Sequence, residues 1–96
     1  MTRTIRFMFE YGHPWPLWET GREDGPTMEP ADYGLSSELI ERLRAANRFW
    51  QEHFQHERGW DSAENLAAWT ADTRQVLAVL RREVAGIADV LDERGV

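Results

Sequence analysis

The sequence predicts a small single-domain α+β fold in strand-helix-helix-strand order, with a two-stranded sheet packed on a helical hairpin. Apolar and polar side chains alternate over residues 3–11, two apolar stripes at helical spacing follow, and a second short apolar run comes after Gly86. At 96 residues the chain is shorter than the roughly 150 of an average domain, so residues 1–96 are expected to share one core. A hydrophobic fraction of 42% is enough to offset ordering entropy, unlike that of a disordered chain.

Ile5, Phe7, Phe9 and Tyr11 fall on one face of the first segment, and Thr4, Arg6, Met8 and Glu10 on the other, the pattern of a half-buried strand. Pro14 and Pro16 end it, because proline lacks the ladder donor and pushes its predecessor into extended geometry. Residues 19–34 then read as an acidic loop rich in Gly and Pro, where Glu19, Glu23, Asp24, Glu29 and Asp32 face one base, Arg22. Ser36 is a good N-cap, and Leu39, Leu43, Ala46, Trp50 and Phe54 make the stripe of a helix expected to stop at Gly59. Asp61, with Glu64 three residues on, resembles a capping box for a second helix. Its buried stripe is Leu66, Trp69, Thr73, Val76, Leu77, Leu80 and Val84. Gly86 is expected at C′, so that residues 87–91 extend and pair with residues 4–10, since a lone strand has no partner for its edge.

Seventeen acids against 11 bases give a net charge of −6, which argues against nucleic acid as partner, because such affinity comes from neutralising phosphates. With no cysteine, disulfides, thiolate metal sites and cysteine nucleophiles are excluded. The apolar run at residues 5–9 is interrupted by Arg6 and is too short for a signal or spanning segment, so no membrane association and a cytoplasmic location are expected. All 11 bases are arginine, whose planar guanidinium stacks on aromatic rings, and the chain carries five tryptophans.

The Tyr11-Gly12 turn followed by Pro14-Trp15-Pro16-Leu17-Trp18, the Asp32-Tyr33-Gly34-Leu35-Ser36 helix start and Gly59-Trp60-Asp61-Ser62 between the helices together resemble a group of small uncharacterised bacterial proteins, mostly actinobacterial. The resemblance covers nearly the whole chain and implies a similar small fold. It carries over no functional residue. The Leu-Ser-Pro-Glu-Leu-like helix start of that group stands here as Leu35-Ser36-Ser37-Glu38-Leu39, with serine in place of the N1 proline.

His53, His56 and Glu57, next to Glu52, are weak candidates for a metal site, because helical zinc motifs space their histidines four apart and these are three apart. The plainer reading is a solvated last turn where histidine suits the negative helix end, and no cofactor is expected. Arg48 and His53 match by spacing the arginine and histidine of HEPN ribonucleases, yet a five-residue step on a helix turns the two side chains apart. Trp50 and Trp69 read as core. Trp15 and Trp18 have two readings, as a cover over the sheet and helices or as an exposed aromatic anchor rimmed by acid.

The function expected is a non-enzymatic protein-binding module, immunity- or antitoxin-like in character. Its expected partner is a basic protein, bound through Trp15, Trp18, Glu19, Glu23, Asp24, Glu29 and Asp32. The alternative is a small hydrolase or nuclease working through histidine and carboxylate, with metal or in the HEPN manner. Self-association as a homodimer stays open.

Overall fold

A computed structural model describes residues 3–22 and 25–96. Strand β1 (Arg3–Phe7) lies parallel to β4 (Ala88–Asp92), with Ile5 opposite Val90 and Phe7 opposite Asp92. Helices α1 (Ser37–His53) and α2 (Ala63–Glu83) form the intervening hairpin, and a small antiparallel pair, β2 (Phe54–Gln55) and β3 (Gly59–Trp60), joins them. The strand-helix-helix-strand layout expected from the sequence is thus present. Because the two long strands run parallel, the whole helical hairpin serves as their crossover.

The alternation of β1 works as expected: Ile5, Phe7 and Phe9 are buried while Thr4 is exposed. Pairing with β4 stops at Phe7, however, and Tyr11 is exposed at the far end of the segment. On its other edge β1 is joined by the proline-flanked segment, where Arg6 N–H donates to the Trp18 carbonyl at 2.7 Å and Trp18 N–H to that of Arg6 at 3.2 Å. Trp18 bridges in turn to Thr27, so parts of the expected loop extend the sheet. A short 3-10 turn, Pro30–Tyr33, leads into α1.

Ser36 caps α1, its hydroxyl oxygen accepting from Leu39 N–H at 3.2 Å. The same serine donates from N–H and Oγ to the two Glu83 oxygens at 2.7 and 2.6 Å, fastening the start of α1 to the end of α2. Leu39, Leu43, Ala46 and Trp50 from α1 meet Trp69, Val76, Leu77, Leu80 and Val84 from α2, and the buried face of β1 closes the core.

Three helix ends differ from expectation. Helix α1 stops at His53, because Phe54 turns to extended backbone to sit opposite Trp60, their rings 5.9 Å apart. Gly59 does take the left-handed conformation, at φ 74°, but as the residue that closes a three-residue hairpin loop. The N-cap of α2 is Ser62, whose oxygen accepts from Asn65 N–H at 3.0 Å, so Asp61 is free to bond elsewhere. At the other end Val84 is the C-cap, so Gly86, at φ 82°, stands one residue past the expected C′ position and turns the chain towards β4 from there.

Candidate functional site

Glu19 is not a surface acid. It is 5% exposed, and its carboxylate accepts from Arg3 Nε at 3.0 Å and from the Tyr33 hydroxyl at 2.7 Å, with Arg22 Nη1 at 3.5 Å. Burial, then the bond to Glu19, raise the Tyr33 pKa well above the ordinary phenol range. Glu29 and Asp32 are exposed, and Asp32 accepts the Glu29 N–H at 2.8 Å to cap the 3-10 turn. Glu23 and Asp24 lie outside the described residues.

Trp15 and Trp18 are both half-buried. Trp15 packs against the core with the Arg44 guanidinium 5.6 Å from its ring. Trp18 donates its indole N–H to the Met8 carbonyl at 3.1 Å and meets the His13 ring at 5.0 Å. Buried His13 puts Nε2 2.8 Å from the Met28 carbonyl, which can only accept, so that nitrogen carries the proton. Asn47 reaches the Pro14 carbonyl at 2.9 Å from α1 and fixes the same segment.

The histidines are drawn apart. His53 Nδ1 lies 2.7 Å from an Asp61 oxygen, Asn65 donates to the other at 2.9 Å, and Asp61 N–H donates to the His53 carbonyl. The Asn65 and His53 bonds lower the Asp61 pKa, and the cluster fastens the hairpin between the two helices. His56 faces Glu10 at 3.6 Å, and Glu57 is exposed in the loop. Among the described residues no three histidine or carboxylate groups are placed to hold one metal ion, and no bond joins Arg48 to His53. No described helix is long and apolar enough to cross a membrane.

A second arrangement was not foreseen. Beyond the carboxyl ends of β1 and β4 lies a groove of about 420 Å³ walled by Trp50, Phe54, Trp60 and Trp69, with Glu10 and His56 on its rim. In parallel sheets this is the end at which ligands commonly bind. The rings support one another: Trp50 stacks on Phe54 at 5.0 Å, Trp60 lies 5.1 Å from Trp69, and Phe9 meets Trp69 edge-on at 4.8 Å. Tyr11 donates its hydroxyl proton to the Phe54 carbonyl at 2.8 Å, tying the outgoing end of the first segment to the hairpin. Trp60 and Phe54 are half-buried, whereas Glu10, Glu52, Glu57, Asp61 and Glu64 around them are exposed, together with one base, Arg58. The hairpin end of the molecule thus carries exposed carboxylates on the same chain segments as half-buried Phe54 and Trp60. The sequence signal lies in the dense acids of residues 52–64 flanking Trp60, which by spacing alone read as a solvated helix end at Glu52 and Glu57 and a capping box at Asp61 and Glu64.

The model of the family described as Serratia CdiI immunity protein-like matches residues 3–91. The chain belongs to this family of immunity-like proteins, and every residue of the turn and helix-start pattern noted above falls inside the matched span. Comparison with curated proteins finds no match.

Proposed function

We propose that this protein is an immunity protein that binds and neutralises a toxin, using the hairpin end as its contact surface. The observation that carries the choice of surface is the coincidence of half-buried Phe54 and Trp60 with exposed Glu10, Glu52, Glu57, Asp61 and Glu64, against exposed Arg58 and an Arg94 already bound to Asp92. Aromatic anchors inside a charged rim are the usual anatomy of a binding hot spot, and an acidic rim selects a basic partner. Membership of an immunity-like family supports a protein as the ligand. The surface of residues 15–32 is a second reading, favoured by the half-exposed Trp15 ring and the exposed Glu29.

Affinity capture from the native cell, followed by binding of the purified partner to variants, tests the proposal. The expected result is a basic polypeptide whose toxicity is relieved by co-expression, and whose binding is weakened by Glu57→Lys but not by Glu29→Lys. A partner that binds Glu57→Lys as tightly as the parent while losing Glu29→Lys moves the surface to residues 15–32. If co-expression relieves no toxicity, the immunity reading itself fails.

A further inference from the structure

The groove at the carboxyl ends of β1 and β4 has a chemistry that names its occupant more narrowly than a basic surface. We infer that it is the receptor for one arginine side chain of the partner protein, an inference that rests on the binding role proposed above. Five aromatic rings line a space of about 420 Å³, and of these the half-buried Phe54 and Trp60 offer a face to a planar head while Phe9, Trp50 and Trp69 back them from the core. An aromatic wall alone fits any apolar group, so the rim decides. Any occupant that closes the groove removes water from Glu10, and covering a carboxylate without supplying a donor is costly.

The charges already present leave that carboxylate as the group in need. Glu93, also at the groove, is held by Arg6 at 2.8 and 2.9 Å. Arg94 in the wall is engaged on every side: Asp92 receives two of its N–H groups at 2.8 Å, and the Thr70 carbonyl and Thr73 hydroxyl receive another nitrogen at 3.2 and 2.9 Å. These two pairs cancel internally. Among the described residues Glu10 faces only His56, at 3.6 Å, beyond hydrogen-bond reach. A guanidinium answers both demands, because it lies flat against indole and forks onto a carboxylate, where an ammonium does only part of either. The molecule uses the stacking half of this pairing itself, with the Arg3 guanidinium 4.8 Å from the centre of the Tyr33 ring.

The probe is the blocked peptide acetyl-Gly-Arg-Gly-amide, titrated at low salt into the full chain while the indole N–H resonances are followed by NMR, with the citrulline peptide as its neutral isostere. Saturable shifts of the Trp60 and Trp50 resonances are expected, with a Kd on the order of millimolar for so small a ligand and at least about fivefold weaker binding of the citrulline peptide. Glu10→Gln, an exposed change that leaves the core intact, is expected to weaken the arginine peptide by a similar factor. Absence of saturable indole shifts, or equal binding of both peptides, overturns the inference. If the captured toxin binds Glu10→Gln as tightly as the parent, the inference falls while the immunity reading stands. If the arginine peptide binds as expected but no toxin is captured, the groove chemistry holds and the immunity reading fails.

Discussion

A carboxylate inside an apolar core is stable only where donors surround it, and Glu19 has the Tyr33 hydroxyl, Arg3 and Arg22. Tyr33→Phe removes one of these donors and leaves a buried charged oxygen short of a partner. Urea denaturation is expected to show a loss of about 1.5–3 kcal/mol, the range for a hydrogen bond to a charged group. The same bond sets the alkaline behaviour. The folded-state pKa of Tyr33 is raised, so the stability it confers is complete below the unfolded phenol value of about 10 and is lost as pH rises beyond it. In a Tyr11→Phe background, where Tyr33 is the remaining tyrosine, tyrosinate absorbance should therefore appear only together with alkaline unfolding. Absorbance that rises while circular dichroism is still native would contradict this. Nothing in the local sequence marks Glu19 as different from the acids after it, because its donors at positions 3 and 33 are brought to it only by the sheet and the 3-10 turn.

The elements themselves were more legible than their ends. Helical stripes, the Ser36 cap and the turn at Gly86 depend on neighbours within one or two turns, which a sequence displays directly. The end of α1 depends instead on Phe54 and Trp60 meeting across a hairpin, and that contact outweighs continuing the helix to Gly59. The N-cap of α2 illustrates the same point. Asp61 and Ser62 are both good caps by type, and Asp61 is excluded because His53 and Asn65 occupy its oxygens. Ser62→Ala is accordingly expected to cost about 1 kcal/mol in global stability, measured by thermal or urea unfolding. Asp61→Asn is expected to act locally, as faster amide exchange across residues 54–60 with little change in α2. The Asp61 pKa is lowered in the fold, so its contribution is present above the ordinary carboxylate range and fades as pH falls through the lowered value. In the parent, hairpin protection, taken relative to the intrinsic exchange rate at each pH, should fall on acidification, and in Asp61→Asn that fall should be gone.

At the scale of the whole molecule, the parallel pairing of β1 and β4 brings chain segments nearly the length of the protein apart into one place, as the bond between Arg6 and Glu93 shows. The aromatic groove draws on residues 8–10, 50–60, 66–69 and 93–96, and no spacing rule connects four such stretches. That is why reading by spacing brings out Trp15 and Trp18, which lie close together in the chain, and not the rings of this groove. On the proposal that the hairpin end is the contact surface, its charges and its ring make separable demands on binding kinetics. Glu52 and Glu57 are exposed and form no ion pair among the described residues, so Glu52→Lys with Glu57→Lys should leave the fold and its unfolding midpoint unchanged. Their charge acts over a distance of about 10 Å at moderate salt, which reaches the partner before contact is made. Reversal should slow association by roughly tenfold at low ionic strength, flatten its salt dependence and leave dissociation almost untouched. Trp60 acts only after contact. Replacing it by leucine keeps an apolar body against Trp69 but removes the large ring, and dissociation should quicken by an amount equivalent to about 2 kcal/mol, with association little altered. Stopped-flow mixing with the captured partner at several salt concentrations separates the two effects. If charge reversal leaves the association rate and its salt slope at the parent values, long-range attraction is not directed at the hairpin end, and the encounter must be steered by carboxylates elsewhere on a chain of net charge −6.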